Sequence, residues 1–168
     1  MRAGSGRLAG GHHIEGVSRR QLLLSGIALG AAPLAQAAPA RLPLADSLPD
    51  ELVQALKKNQ PLVVMVSLPG CPFCVVARDN YLGPMHEQQG LPVVQVDMRS
   101  QRPVRDLKGR NVTHDALSRS WGIRIAPTVL FFGPGGVEVA ERLVGGYIPD
   151  FYGAYLDERL QQARASLR

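Results

Sequence analysis

The sequence predicts an α/β fold in which a mixed central sheet of about four strands has helices on both faces. A continuous apolar run at 61–67 is typical of a strand that is covered on both sides, and 91–97 is predicted to be a second strand. Segments with helical spacing separate the strands, which favours parallel pairing, whereas the glycine-rich turn at 133–136 favours one antiparallel hairpin. With 168 residues, 45% of them hydrophobic, the chain can form one domain with a substantial core.

The first predicted helix starts after Ser47, whose hydroxyl can cap it, and leads to the strand at 61–67. Pro49 falls early in this helix, where a missing N–H costs nothing, and Asp50 stands three residues after the cap. A second helix is expected from Pro72 to about Gln89. Pro84 should kink or divide that helix because proline cannot donate a backbone hydrogen bond.

The second strand, at 91–97, is followed by a polar segment from Arg99 to Asn111. This segment contains five basic residues, but Asp106 interrupts the cluster, Asp97 stands just before it, and no aromatic residues are interleaved with it. A site for nucleic acid would combine a basic stripe with stacking partners, so we expect a solvated loop and no nucleic-acid binding. The segment could shape the choice of protein partner or be a neutral surface insertion.

In the C-terminal half, Thr113 is expected to cap a short helix that ends near Trp121. A third strand covers 128–132, and residues 137–144 alternate like the returning strand of a hairpin. The last helix should be amphipathic and run from Phe151 to about Leu167, with these residues on one side: Phe151, Tyr155, Leu156 and Leu160.

The N-terminus has the three parts of an export signal. Residues 1–20 contain four arginines and one glutamate, residues 21–40 carry no charge, and Ala35-Gln36-Ala37 is a small-x-small cleavage pattern. We therefore predict a signal peptide at 1–37, cleaved after Ala37, a linker at 38–46, a domain at 47–168 and a periplasmic location. The run from Ser18 to Leu23 resembles the twin-arginine motif, which leaves both export routes open. The alternative is an uncleaved anchor, although the apolar stretch is short for a span of about 20 residues.

Removal of this signal lowers the net charge of the chain. The whole sequence has 19 basic and 14 acidic residues, a net charge of +5. Residues 1–37 contain four of the basic residues and one of the acidic ones, so 15 minus 13 leaves +2 for the mature protein. The basic character of the full chain is therefore partly a property of the signal.

Cys71 and Cys74 are the only cysteines, and they open a predicted helix directly behind a buried strand. Free N–H groups and the helix dipole favour negative charge at Cys71, so its thiolate should be the attacking group in disulfide exchange. Cys74, one turn later, can then resolve the mixed disulfide. Pro72 suits the first helical turn, and Phe73 offers an apolar cap over the site.

Three other uses of the cysteine pair are weaker. A purely structural disulfide across so short a loop gains little from unfolded-state entropy. Zinc needs about four ligands, and the histidines beyond the signal are only His86 and His114, each expected at the surface. A copper carrier would need a histidine or methionine close to the pair in sequence. We therefore expect redox chemistry, with no metal and no cofactor.

Three segments in order resemble the thioredoxin family, over about 48–160. They are the cysteine pair, then Trp121-Gly122-Ile123-Arg124-Ile125-Ala126-Pro127-Thr128, then Val144-Gly145-Gly146 after the predicted hairpin. The resemblance implies the thioredoxin fold. The stretch from Asp97 to Thr128 is most similar to periplasmic members, which include thioredoxins associated with sulfur oxidation and the C-terminal domain of the transmembrane thiol reductase.

The resemblance also implies roles for individual residues. Pro127 corresponds to a cis-proline that faces the cysteines, and the backbone of Ala126 would pair with an extended substrate segment. Gly145 and Phe73 would belong to the flat apolar surface where substrates dock. Trp121 would either pack near that surface or simply fill the core.

The sequence departs from cytosolic thioredoxins around the cysteines. Gly70 stands where they have a tryptophan, and Met65 stands in place of a buried aspartate. Gln95 replaces the lysine that partners this aspartate. Because that pair is thought to help deprotonate the second cysteine, water or another group must accept the proton here.

The function expected from the sequence is that of a periplasmic thiol–disulfide oxidoreductase, mainly a reductase. Its partners would be disulfide-bonded client proteins and a membrane thiol reductase that supplies electrons, and the protein would be a monomer. An oxidase on the same fold is the first alternative, since Pro72 can shift the redox potential. A non-catalytic module that binds a metal or a partner through the cysteines is the second.

Overall fold

A computed structural model describes residues 41–146 and 149–168, without the side chains of 149 and 150. The predicted export signal and the first residues of the predicted linker lie outside these ranges. Within them, no helix has both the length and the apolar character needed to cross a membrane.

The described elements follow the predicted order of helices and strands, with two further short strands after the second one. In chain order they are α1 (Leu48–Lys57), β1 (Leu62–Ser67), α2 (Pro72–Val76), a π-helical segment (Ala77–Leu82), α3 (Gly83–Gln89), β2 (Val93–Asp97), β3 (Pro103–Arg105), β4 (Asn111–Thr113), α4 (His114–Ser120), β5 (Thr128–Phe132), β6 (Leu143–Val144) and α5 (Pro149–Ala165). β1, β2, β5 and β6 form a four-stranded sheet in the order β2-β1-β5-β6. The β1–β2 pair is parallel and the other two pairs are antiparallel, so the predicted mixed sheet is confirmed.

The sheet separates two hydrophobic cores because successive side chains of its strands point to opposite faces. Val63 and Met65 of β1 belong to the dithiol-side core, which also contains Cys74 and the buried residues of α5. Val64 and Val66 belong to the opposite core, which packs against α1 and α4. β1 is buried along its whole length, which explains its continuous apolar sequence.

The helix after β1 continues from Pro72 to Gln89 but changes its winding in the middle. The π-helical segment Ala77–Leu82 separates two α-helical parts, and Pro84 lies in the first turn of α3. Pro84 has no N–H to donate to the carbonyl of the residue four positions earlier, so a regular α-helix cannot continue through it. The π-helical segment ends just before this proline. The expected division of the helix at Pro84 is therefore present as a π-helical turn, and Gly90 ends the helix in a left-handed conformation.

Two expectations about the surface elements are wrong. The segment expected to be a loop contains a second, two-stranded sheet, in which β3 and β4 pair antiparallel across a turn at 106–110. Asp106 holds this turn, since its carboxylate accepts N–H groups of Lys108 and Arg110 and contacts the Arg110 guanidinium. In α5, the buried stripe consists of Tyr152, Leu156, Leu160 and Ala163, whereas Phe151 is 59% exposed.

The residues just before α1 pack on the domain. Leu42 and Ala45 are buried, and the Ala45 N–H donates to the Gln95 carbonyl. The packed part of the chain thus includes residues that the sequence predicts as linker. Ser47 is the N-cap of α1, but its side chain makes no capping bond; instead, Glu51 accepts the Ser47 N–H.

His114, expected at the surface, is fully buried. Its Nε2 lies 2.9 Å from the Ala45 carbonyl oxygen, and its Nδ1 lies 3.1 Å from the Asp97 nitrogen. The ring therefore joins the segment before α1 to the end of β2. His114 is the first residue of α4, directly after Thr113, whose side-chain oxygen caps the helix.

Candidate active site

Cys71 and Cys74 form a disulfide at the N-terminal end of α2. Cys71 is the N-cap residue, with extended backbone angles, and Cys74 follows one turn later with a Cα–Cα distance of 5.3 Å. The Cys71 side chain is partly exposed, whereas Cys74 is 1% exposed. An attacking substrate therefore reaches the sulfur of Cys71 first.

The local backbone supports negative charge on Cys71 once the disulfide is reduced. The Cys74 N–H donates to Cys71 Sγ at 3.2 Å, as in an N-cap. Hydrogen bonds to a charged group favour its charged form, and the N-terminal end of the helix adds the favourable dipole. The sulfur that receives this support is therefore the more exposed one of the pair.

The loop before β5 lies against the cysteines. The Ala126–Pro127 peptide bond is cis, as the resemblance implied. The Ala126 carbonyl oxygen lies 3.7 Å from Cys71 Sγ, and Pro127 is buried. The Thr128 hydroxyl donates to the Ile125 carbonyl and closes the turn at the start of β5.

The glycines after β6 complete the wall beside this loop. The Gly145 N–H donates to the Pro127 carbonyl at 2.8 Å. A Cβ on Gly146 would stand 3.3 Å from Phe73 Cβ and 3.4 Å from Pro127 Cγ, so only glycine fits there without displacement. Sequence reasoning selected Gly145 and missed Gly146, although the Gly-Gly pair was the signal for it.

Exposed apolar side chains stand on the three elements that meet next to Cys71. Phe73 is 47% exposed, Ile125 49% and Val144 42%. They come from α2, the cis-proline loop and β6, which the contacts above bring together. Large apolar side chains grouped at a reactive sulfur suit the docking of an extended peptide. Ile125 was not selected from the sequence, although it directly precedes the Ala126-Pro127 pair.

Trp121 does not belong to this surface. It packs against the opposite core, with its ring centroid 5.4 Å from that of Phe132. Its carbonyl accepts a hydrogen bond from Arg142 at 2.8 Å. Of the two roles left open by the sequence, the structure favours filling of the core.

Comparison with known proteins identifies the family of this chain. The family model for the thioredoxin-like domain matches residues 48–160. The chain belongs to the thioredoxin-like family. With its pair of cysteines in the family's position, it is a thiol–disulfide oxidoreductase by fold and by site.

Solved structures of the thioredoxin-like family resemble this chain at low sequence identity. The DsbH oxidoreductase is 20% identical, with a TM-score of 0.50, over 82% of this chain and 95% of that one. The periplasmic thioredoxin SoxS of Paracoccus pantotrophus is 24% identical, with a TM-score of 0.41, over 62% and 99%. Thioredoxin O2 of Arabidopsis thaliana is 16% identical, with a TM-score of 0.47, over 74% and 97%. A search by sequence against curated proteins found no match.

Met65 and Gln95 occupy the positions where the sequence departs from cytosolic members of the thioredoxin-like family. They are paired across β1 and β2, on the sheet face that carries Cys74. Met65 is fully buried, and the Gln95 Nε2 donates to Asp97 Oδ1 at 2.7 Å. The Gln95 Oε1 is buried without a hydrogen-bond partner among the described residues. This face therefore holds an amide and, at the strand end, a carboxylate.

The described residues contain no cluster of three or more histidine, cysteine, aspartate or glutamate side chains that could hold a metal ion. A Cys–Cys pair supplies only two of the roughly four ligands that a closed zinc site takes.

Proposed function

We propose that the protein is an exported thiol–disulfide reductase that acts on disulfide-bonded client proteins in the periplasm. The observation that carries the proposal is the position of Cys71 Sγ. It is the accessible sulfur of the pair, it accepts the Cys74 N–H, and it lies beside the carbonyl that precedes a cis-proline. The export signal predicted at 1–37 supports the location.

The reaction starts from the reduced pair. The Cys71 thiolate attacks one sulfur of the client disulfide, forms a mixed disulfide with it and releases the other client sulfur as a thiolate. An extended client segment can pair with the free backbone of Ala126, in the manner of an added strand. Phe73, Ile125 and Val144 contact its side chains.

The second step frees the client. Cys74 loses its proton and attacks Cys71 Sγ, so the second client sulfur leaves as a thiolate and the Cys71–Cys74 disulfide forms. Two electrons have then passed from the pair to the client. The Cα–Cα distance of 5.3 Å is within the range for an unforced disulfide, so Cys74 needs no backbone movement to attack.

Return to the reduced form requires an outside donor. The periplasm is kept oxidising by enzymes rather than by a glutathione buffer, so we assign the electron supply to a membrane thiol reductase. We propose that the protein acts as a monomer and has no nucleic-acid partner.

The Cys74→Ser variant tests the assignment of roles. It should trap clients as mixed disulfides through Cys71, visible as reducible bands on non-reducing gels of periplasmic extracts. Cys71→Ser is the matched control, because it removes the accessible sulfur and should trap almost nothing. Equal trapping by both variants, or none by Cys74→Ser, would contradict the mechanism.

The direction of the reaction is tested by the reduction potential. A value near −270 mV favours a reductase, and a value near −120 mV an oxidase. The oxidase remains the second candidate because Pro72 follows Cys71 directly. Equilibration of the pair with glutathione or dithiothreitol, followed by thiol alkylation, gives the value.

A non-catalytic module is the third candidate, and it makes the opposite prediction on turnover. Insulin reduction by dithiothreitol should accelerate with the wild type and not with Cys71→Ser. Stoichiometric metal in the purified protein without such turnover would favour the non-catalytic role.

A further inference from the structure

Three polar side chains lie at the edge of the sheet that leads into the dithiol. β1 and β2 are parallel, so they end at the same edge, and their last residues, Ser67 and Asp97, are paired in register. Because side chains alternate along a strand, both point to the same face as Met65 and Gln95, the face of the dithiol-side core. Ser67 and Gln95 are buried, whereas Asp97 is half-buried and keeps access to solvent.

A short turn joins this edge to the cysteines. Leu68 is the first residue after β1, and its carbonyl accepts the Cys71 N–H at 3.1 Å. In such a turn the two Cα atoms lie within about 7 Å of each other. Cys74 follows one helical turn later and belongs to the same core as Met65. The polar edge of the sheet is therefore close to the start of the helix that carries both cysteines.

The hydrogen bond between Gln95 and Asp97 fixes the direction of the amide. A carboxylate only accepts, so the amide nitrogen faces Asp97 Oδ1, at 2.7 Å, and the amide oxygen faces away from it. That oxygen, Gln95 Oε1, is buried and has no hydrogen-bond partner among the described residues. Ordered water commonly satisfies a buried acceptor of this kind. A water that donates one proton to Gln95 Oε1 has a second proton for the carboxylate and a lone pair for a thiol proton.

Asp97 is the ionisable group that the strands place on this face. The side chains that β1, β2 and β5 direct to the dithiol-side core are apolar except for Ser67, Gln95 and Asp97. A hydroxyl and an amide do not take up a proton at neutral pH, but a carboxylate can. The backbone of Asp97 is also fixed, since His114 accepts its N–H and its carbonyl accepts the Ser100 N–H.

We propose that Asp97 takes up the proton of Cys74 during resolution of the mixed disulfide, through a water that Gln95 positions. This adds the proton step to the thiol–disulfide exchange proposed above and rests on that exchange. Cys74 gives its proton to the water, which gives one of its own to the carboxylate. The Cys74 thiolate then attacks Cys71 Sγ, and the client sulfur leaves with the electron pair of the broken bond. Asp97 afterwards passes its proton to solvent.

The aromatic disulfide dithiobis-nitrobenzoate separates the two steps in one stopped-flow trace. The Cys71 thiolate of the reduced protein attacks the reagent and releases one coloured nitrothiobenzoate. Attack by Cys74 on the resulting mixed disulfide then releases the second. The rate of the first release rises with the reagent concentration and that of the second does not, so the two can be assigned. The first release also shows whether the site of each variant is folded.

Variants of the polar edge should affect the second release alone. Asp97→Asn still accepts the Gln95 N–H but takes up no proton, and should slow the second release about 100-fold, the lower end of the range for a positioned general base. Asp97→Glu keeps a carboxylate and should recover most of the rate. Gln95→Met removes the acceptor for the water and should slow the second release as well. Asp115→Asn is the matched control, because Asp115 lies on α4, which packs on the opposite core, and pairs with Arg119.

The outcome for the proton route is independent of the outcome for the reductase function. If Asp97→Asn leaves the second release within about twofold of the wild type, slows both releases alike, or is no slower than Asp97→Glu, the proton route is overturned. Reduction of insulin by such a protein would leave the reductase function standing. If the second release depends on Asp97 but neither insulin nor a client is reduced, the reductase function fails and the proton route stands.

Discussion

Replacement of His114 by phenylalanine tests whether a buried histidine holds the segment before α1 to the sheet. The ring accepts the Asp97 N–H at Nδ1 and donates from Nε2 to the Ala45 carbonyl. These two bonds require the tautomer with the proton on Nε2. Phenylalanine is of similar size but offers neither a donor nor an acceptor, so both backbone groups lose their partner.

The expected cost follows from the burial of those two groups. A buried backbone donor or acceptor left unpaired costs about 1–3 kcal/mol. Ala45 is fully buried, so its carbonyl bears the whole penalty, whereas Asp97 is half-buried and water can replace part of its lost bond. We expect His114→Phe to lower the free energy of unfolding by about 3 kcal/mol. That is a large part of the roughly 5–15 kcal/mol available to a domain.

Urea unfolding of the oxidised protein measures this difference. Trp121 is the only tryptophan and packs against Phe132, so its fluorescence reports loss of the opposite core. His86→Phe is the control, because His86 makes one half-buried bond to the Leu91 carbonyl and should cost about 1 kcal/mol. If His114→Phe unfolds within 1 kcal/mol of the wild type at an unchanged m-value, the two bonds add no net stability and the reasoning fails.

Two further changes test the hairpin turn and the glycine wall. Burial opposes ionisation of Asp106, but the N–H groups of Lys108 and Arg110 and the Arg110 guanidinium outweigh it and hold its pKa below the usual value. The stability from this carboxylate is therefore present above about pH 4 and is lost as the pH falls through the folded pKa. Asp106→Asn should lower the free energy of unfolding by about 1–2 kcal/mol at pH 7, a loss that is limited because the Arg110 partner is exposed. The free energy of unfolding of this variant should also fall less steeply than that of the wild type as the pH is lowered. Gly146→Ala should lower kcat/KM for insulin reduction several-fold, since its Cβ presses on Phe73 and Pro127. An unchanged rate would show that Phe73 and Pro127 can move aside for the added methyl group without loss of activity.

Fold prediction from the sequence succeeded where burial dominates a segment. The apolar runs of β1 and β5 can only be central strands, because every residue in each is buried. The β3–β4 hairpin could not be predicted in the same way. Its strands have three residues each and bury little, and the turn depends on Asp106 meeting backbone groups up to four residues away. No local apolar periodicity encodes such an arrangement.

The sequence points to residues that carry their own chemistry, but not to residues whose place at the site is defined by their contacts. The cysteines and Pro127 were found from short motifs. His114 was misplaced because a lone histidine in a sequence has no visible partner, and its partners here are backbone atoms 69 and 17 residues away. Gly146 was missed because its requirement for glycine arises from Phe73, on a different element.

On the sheet face beneath Cys74, Met65 and Gln95 stand where cytosolic thioredoxins have other residues, and this limits how Cys74 can lose its proton. With Met65 in place of a buried acid, ionisation of Cys74 receives no help from a carboxylate on β1, and Met65 leaves no room there because it is fully buried. The polar side chains on this face are Ser67 at the end of β1 and, on β2, Gln95, which is paired across the strands with Met65 and bonds to Asp97. The Gln95 Oε1, which has no hydrogen-bond partner in the part of the chain that the structure describes, is an acceptor on the dithiol side of the sheet. An amide does not take up a proton as a carboxylate does, so it can orient a proton acceptor but cannot replace one. Resolution of the mixed disulfide should therefore depend more on solvent, and hence on pH, than in relatives that have the buried acid.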